Sequence, residues 1–262
     1  MYFLSFETST KIFSLALNRD EKVLRFRNLK SASVLEDSIL PVMDKMLDSA
    51  GVKFNQMDGF AIALGPGSFT SLRVGMSTVK AFAMATGKPV VGIPTLDIIA
   101  QGILSFRHSP KINSHSRASG NPFAQYDEIC VINDARRGNV YSCIYRKDSP
   151  HPVGGARGGG HYLLTSLEDV LGKVHGRTLF TGDGLRLYRK DIEGAYRKNE
   201  GQRLISTCKC LFAEEKWWYP KAKVMAALAY ERFENKQYDD AASLVPLYLY
   251  PHDCQVTSPN GH

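Results

Sequence analysis

The sequence has no uninterrupted apolar run of about 18 residues, which is the length that a membrane-spanning helix needs. Residues 1–6 already alternate like a strand and carry no basic leader segment. The five cysteines form an odd set at no zinc-like spacing, and Cys208 and Cys210 are too close together to clip a metal. We therefore expect a cytoplasmic protein with reduced thiols, no metal site and no membrane contact.

Three familiar phosphate or nucleophile motifs are also missing. The segment GPGSFTSLRVG at 65–75 follows the apolar run 60–64, yet the Rossmann pattern needs a glycine where Thr70 stands and the Walker Gly-Lys-Ser/Thr is absent. A nucleophile elbow around Ser68 needs glycines where Pro66 and Thr70 stand. The segment favours a tight strand-to-helix turn, in which Gly65 and Gly67 supply freedom and Ser68 or Thr70 caps the helix. An anion site at its backbone N–H groups stays open.

Length and charge limit the remaining classes. A chain of 262 residues with 44% hydrophobic and 23% charged residues can bury a large core and divide into two lobes. The net charge of +7 suits an RNA or acidic partner, but no dense Lys/Arg run concentrates it. Trp217 and Trp218 are typical of core or partner packing more than of an RNA stacking platform.

The hydrophobic periodicity predicts a regular order of elements. We expect strands over 2–6, 12–17, 23–26, 59–64, 90–93, 128–132, 140–145 and 179–181, and helices over 35–50 (after a capping box at Ser33 and Glu36), 69–86, 96–106 and 221–235. The segments 107–125 and 149–161 have no apolar period and are expected to be a surface insertion and a linker. His108 and His115 in the insertion offer no fixed metal geometry.

A weak internal repeat indicates two lobes built on one plan. An apolar strand ends in an acid, Glu7 or Asp134, and a strand resumes six residues later. Gly182 follows a later strand in a second glycine turn. We expect an N-terminal lobe over 1–103, with the helix near 221–235 packing back on it, and a C-terminal lobe over 104–214.

The helix over 69–86 is apolar on two sides. One stripe consists of Phe69, Leu72, Met76, Val79, Phe82 and Ala83, and a second stripe of small residues consists of Val74, Ala81 and Ala85, flanked by Gly75 and Thr78. The first stripe is expected to cover the sheet of its own lobe. The second allows another helix to approach closely, either from the same chain or from another molecule.

Four motifs in this order resemble the TsaB (YeaZ) family. They are Glu7-Thr8-Ser9, the segment 65–75, Asp134-Ala135-Arg136-Arg137-Gly138 and Pro246-Leu247-Tyr248-Leu249. The resemblance implies an α/β, actin-like (ASKHA) two-lobed fold, in which each lobe is a mixed sheet flanked by helices. Departures from the family pattern are Glu7 for aspartate, Leu35 for histidine, Ser71 for glycine and Tyr250 for arginine.

The resemblance also implies a function. TsaB-like proteins are non-catalytic subunits in the threonylcarbamoyl modification of adenosine 37 of tRNA, binding and stabilising the TsaD transferase, with the TsaE ATPase as a further partner. The family's first two helices form this interface and a homodimer, so Leu35, Ile39, Val74, Thr78, Ala81 and Ala85 become the expected interface. The chain holds no cofactor in this interpretation and meets tRNA through the complex.

Enzyme alternatives stay open at this point. An actin-like ATPase or phosphotransferase would use Glu7 and Asp134 as magnesium-side acids, with Gly65, Gly67 and Gly182 in phosphate-cradling turns. A metallopeptidase would need metal ligands, and the sequence contains no His-x-x-x-His pair.

Overall fold

The computed structural model describes residues 1–10, 12–29, 35–107, 126–146, 162–199 and 210–250. In this part of the chain, strands and helices form two lobes, each with its own sheet. The predicted capping box at Ser33, the segments 108–125 and 149–161 and the cysteines Cys208 and Cys254 lie outside the described residues.

The first sheet has the order β3-β2-β1-β4-β5. Its strands are β1 (Tyr2–Glu7), β2 (Phe13–Arg19), β3 (Lys22–Leu29), β4 (Gly59–Gly65) and β5 (Val90–Pro94). The first three strands pair antiparallel, as their short connections require, whereas β4 and β5 run parallel to β1 after helical crossovers. The three strands predicted over 2–6, 12–17 and 23–26 are confirmed.

The second sheet repeats this topology in the same order. Its strands are β6 (Glu128–Arg136), β7 (Asn139–Arg146), β8 (Leu163–Ser166), β9 (Thr178–Thr181) and β10 (Cys210–Phe212). They lie in the order β8-β7-β6-β9-β10, with β6, β7 and β8 antiparallel and β9 and β10 parallel to β6. Each lobe therefore has the same mixed sheet, which confirms the repeat and the actin-like two-lobed α/β fold.

Helices cover both faces of the two sheets. They are α1 (Leu35–Ala50), α2 (Phe69–Thr86), α3 (Thr95–Arg107), α4 (Leu167–Leu171), α5 (Leu185–Asn199) and α6 (Ala222–Glu234). Because side chains alternate along a strand, Leu4 and Phe6 of β1 face α1 and α2, while Phe3 faces α6. Helix α6 thus packs on the N-terminal sheet, and α4 and α5 cover one face of the second sheet.

Helix α3 joins the lobes. Ile98 packs among the N-terminal side chains next to α6, and Ile99, one position on, packs on the C-terminal sheet. The buried carboxylate of Asp97 accepts hydrogen bonds from the hydroxyls of Tyr145, at 2.6 Å, and Tyr162, at 2.8 Å. Burial raises the pKa of Asp97 to about 6 against the lowering effect of these two bonds. One carboxyl therefore ties the start of α3 to the C-terminal lobe.

The C-terminal segment after α6 crosses from one lobe to the other. The N–H of Leu247 donates to the carbonyl of Leu64 at the end of β4, at 2.7 Å. Three residues later the hydroxyl of Tyr250 donates to the carbonyl of Ala135 in the second lobe, at 2.8 Å. This segment therefore links the ends of β4 and β6.

No described helix is both long and apolar enough to cross a membrane. The described ranges also contain no group of three or more His, Cys, Asp or Glu side chains placed to hold a metal ion.

Glycine turns and the outer face of helix α2

The turn at 65–68 packs against the protein's own β1–β2 turn. A methyl group at Gly67 would overlap the backbone oxygen of Ser9, and one at Gly75 would overlap the side chain of Thr8. The N–H of Ser68 donates to that same oxygen of Ser9, at 2.7 Å. Gly67 in the turn and Gly75 in α2 are therefore needed for close approach to the β1–β2 turn of the same lobe, which accounts for both glycines without a phosphate ligand.

Helix α2 starts and ends at the predicted residues. Ser68 is the N-cap, but its side chain accepts no capping hydrogen bond, and its hydroxyl instead lies 3.0 Å from that of Ser71. The prediction that Ser68 caps the helix through its side chain is therefore wrong. Gly87 ends the helix in the left-handed conformation with φ 67°, as its residue type favours.

Glu7, the first candidate acid, is completely buried at the end of β1. Its Oε1 accepts hydrogen bonds from the N–H of Ser9, at 2.8 Å, and from the hydroxyl of Ser9. Its Oε2 has no hydrogen-bond partner. Burial raises the pKa of Glu7 to about 7, outweighing the hydrogen bonds of Ser9, which lower it. Burial thus favours the neutral form of this carboxyl.

Asp134, the second candidate acid, forms hydrogen bonds with Arg136 in its own turn and with Asp183. Its Oδ1 accepts from the N–H of Arg136 at 2.8 Å, and its N–H donates to the carboxylate of Asp183 at 3.1 Å. A methyl group at Gly182 would overlap the carbonyl oxygen of Ile132 in β6, so the second glycine turn packs closely against this neighbouring strand. In the described part of the chain, no hydrogen bond or ion pair joins Glu7 to Asp134.

The outer face of α2 is open and apolar. Ala81 and Ala85 are exposed, and Met84 between them is 69% exposed. Val74 and Thr78 are half-buried, and the Thr78 hydroxyl donates to the carbonyl of Val74 at 2.9 Å. On the opposite face Leu72, Met76, Val79 and Ala83 are buried, as expected. The second stripe therefore has no covering element over Ala81 and Ala85 within the described residues.

Helix α1 exposes Leu40 and buries Ile39, which was expected at the interface. Ile39 is only 2% exposed and packs in the N-terminal core, so its side chain offers no surface to a partner. The next residue, Leu40, is 49% exposed. Ile39 was expected at the partner interface, but the N-terminal core buries its side chain. The side chain of Leu35 is not among those described, so its interface role stays a prediction.

Phe69 was predicted in the buried stripe of α2, and this prediction is wrong. It is 52% exposed, and its ring lies 5.5 Å from that of Tyr248 in the C-terminal segment. The guanidinium of Arg73 lies 3.8 Å from the centre of the Phe69 ring, and its Nε donates to the Tyr248 hydroxyl at 3.2 Å. The i,i+4 spacing of Phe69 and Arg73 was visible in the sequence, but the partner at Tyr248 was not.

The chain is similar in sequence to several known proteins. A family model described as TsaD, tRNA N6-adenosine threonylcarbamoyltransferase, matches residues 31–150. A relative in Escherichia coli K12 named tRNA threonylcarbamoyladenosine biosynthesis protein TsaB is 28% identical over 148 residues, which are 56% of each chain. The Haemophilus influenzae Rd protein of the same name is 34% identical over 110 residues, or 42% of this chain and 46% of the relative. The chain thus matches about half the length of these two relatives.

The fold has a close counterpart among solved structures. YeaZ from Pseudomonas aeruginosa superposes with a TM-score of 0.67 at 22% identity, covering 95% of this chain and 99% of the other. At that identity the likeness establishes the two-lobed fold. Taken together, these comparisons show that the chain is similar in sequence to proteins named TsaB and shares the fold of YeaZ.

Proposed function

We propose that this protein is a non-catalytic subunit of the complex that makes threonylcarbamoyladenosine at position 37 of tRNA. In this role it binds and stabilises a TsaD-like transferase, in a complex with a TsaE-like ATPase, and meets the tRNA through the assembly. The E. coli and H. influenzae relatives, both named for tRNA threonylcarbamoyladenosine biosynthesis, support this pathway. A homodimer through the same face is the state of the free protein in this proposal.

The observation that carries the proposal is the open face of α2. Exposed Ala81 and Ala85 allow a facing helix to approach closely, and the neighbouring Met84 supplies flexible apolar contact area. Leu40 of α1 is a further exposed apolar side chain of this lobe. An apolar surface of this kind on a soluble domain is typical of a protein-binding site.

The state of the two candidate acids and glycine turns supports a non-catalytic role. Glu7 is buried and bonded to Ser9, and Asp134 bonds its own turn. The backbone N–H of Ser68, which a phosphate would need, already donates to Ser9. One oxygen of Glu7, one oxygen of Asp134 and the N–H of Ser68, which an actin-like phosphotransferase would direct at a nucleotide and its magnesium ion, are thus engaged within the protein.

Replacing Ala81 by arginine tests the proposed face. Because Ala81 is exposed, Ala81→Arg leaves the core of the lobe intact, but its long charged side chain prevents close approach of a second helix. We expect co-purification with a co-expressed TsaD-like partner to fall at least about tenfold, since an unpaired charge in an interface core costs more than about 1.4 kcal/mol. Quantitative pull-down of the tagged partner measures this.

The matched control is Ala227→Arg, the same change at an exposed position of α6. It is expected to leave partner binding at the wild-type level. Equal binding by Ala81→Arg and wild-type protein would contradict the proposal that α2 contacts the partner.

A further inference from the structure

A pocket of about 120 Å³ lies at the junction of the lobes, away from the outer face of α2. One wall is α3, at Ile98, Ile99 and Gly102, and the other is the segment that leads into α6. Three lysines in that second wall, Lys216, Lys221 and Lys223, line the pocket. The partner-binding role proposed above uses none of these residues.

The lysines concentrate positive charge around an aromatic ring. The Nζ atoms of Lys216 and Lys221 lie 5.7 and 5.6 Å from the centre of the Trp217 ring, and the Lys221 Nζ donates to the backbone oxygen of Lys216 at 2.7 Å. Burial lowers the pKa of Lys221, and the charges of Lys223 and Lys216 lower it further. An anion in the pocket would relieve this repulsion.

Acidic groups near the pocket neutralise only part of this charge. Glu214 pairs with Lys216 at 2.7 Å, and both side chains are exposed, so the pair is weak. Glu215 pairs instead with Arg186. In the described part of the chain, no ion pair joins Lys221 or Lys223 to a carboxylate. Both ammonium groups therefore lack a carboxylate partner: that of Lys221 donates to the backbone oxygen of Lys216, and that of Lys223 lies 5.5 Å from the centre of the Phe26 ring.

Gly102 is a second, independent feature of this site. It is buried in the interior of α3, where glycine is less favourable than alanine. A methyl group there would come no closer than 3.9 Å to Trp217 and Val224, which is ordinary contact. Unlike Gly67 and Gly75, this glycine is not required by contacts with the rest of the chain. It leaves its volume to the pocket.

We propose that this pocket binds a phosphodiester group of RNA. The ammonium groups of Lys221 and Lys223 hold the phosphate oxygens, and the Trp217 ring contacts the attached sugar or base. The volume fits one such group, with the rest of the strand outside. The anion chemistry follows from the pocket itself, whereas the choice of RNA rests on the proposed function, in which tRNA is the substrate of the complex.

The test compares a tRNA transcript binding to the full chain and to the double variant Lys221→Ala/Lys223→Ala over a range of salt concentrations. We expect the dissociation constant to rise at least about fivefold and the slope of log affinity against log salt to fall by about 2, one for each lysine. The matched control, Lys22→Ala/Lys173→Ala, removes the same charge from exposed positions outside the pocket and should have less than half the effect.

Two outcomes would overturn the proposal. One is equal loss of tRNA affinity in the two double variants, which would assign binding to overall charge. The other is unchanged tRNA affinity in Lys221→Ala/Lys223→Ala. If inorganic phosphate then still protects Lys221 of the wild-type protein from acetylation, the pocket binds a free anion and not RNA. Co-purification of each variant with the TsaD-like partner is measured in parallel, so failure of this inference is distinguishable from failure of the subunit role.

Discussion

Replacing Gly67 by alanine is expected to lower the free energy of unfolding by about 3 kcal/mol, because the added methyl overlaps a backbone atom. The Ser9 oxygen that it would meet also accepts the N–H of Ser68, so neither loop can move away without losing this hydrogen bond. Urea unfolding of the purified variant measures the change.

The control for this prediction is Gly194→Ala in α5. No atom lies within 4 Å of a methyl placed there, so the change is expected to stabilise the protein by about 0.5–1 kcal/mol through helix propensity. If Gly67→Ala unfolded at the same urea concentration as the wild-type protein, the contact with Ser9 would not be the reason for this glycine, and a ligand cradle would again explain the turn.

Glu7→Gln is expected to remove a strong pH dependence of stability. The pKa of Glu7 is raised from 4.5 to about 7 in the folded protein, so the folded state binds a proton that the unfolded state has released over this range. The contribution of Glu7 is therefore most favourable below about pH 4.5 and is lost as pH rises through about 7. The full shift corresponds to about 3 kcal/mol.

The measurement is the unfolding free energy of wild-type protein and Glu7→Gln between pH 4 and pH 8. The stability of the variant relative to wild type should increase by about 3 kcal/mol across this range, whatever fixed loss the buried amide causes. Asp97, whose pKa is raised in the same direction, is present in both proteins and cancels. A constant difference for Glu7→Gln would mean that Glu7 is not held neutral by burial.

Local signals in the sequence were enough to locate most elements. Helix α2 was predicted at its observed bounds, Phe69–Thr86, because a glycine turn precedes it and Gly87 ends it. The repeat of strand, acid-led turn and strand anticipated two sheets of one topology. Helix α5 was missed because most of its residues are polar and only one side, including Leu185 and Ile192, is buried. Strands β8 and β10 are too short to show an alternation of apolar and polar residues in the sequence.

The candidate site depended on contacts between distant parts of the chain, which local patterns do not contain. Glu7 and the Gly67 turn are about sixty residues apart in sequence, and both contact Ser9. Because of this contact, the turn that the sequence left open as an anion site packs against its own lobe. The burial of Ile39, in place of Leu40, was decided by how α1 lies on the sheet. The pocket beside Trp217 was not anticipated, because its walls come from α3 and from the segment before α6.

The most direct test of the central claim, a non-catalytic subunit that a TsaD-like transferase requires, is reconstituted tRNA modification. Purified transferase, TsaE-like ATPase, tRNA and threonylcarbamoyl adenylate are combined with and without this protein, and threonylcarbamoyladenosine is measured by mass spectrometry of digested tRNA. We predict sustained modification only when the protein is added to the transferase, and none when the protein replaces it. Modification at the full rate without the protein, or modification by the protein in the absence of the transferase, would contradict the claim.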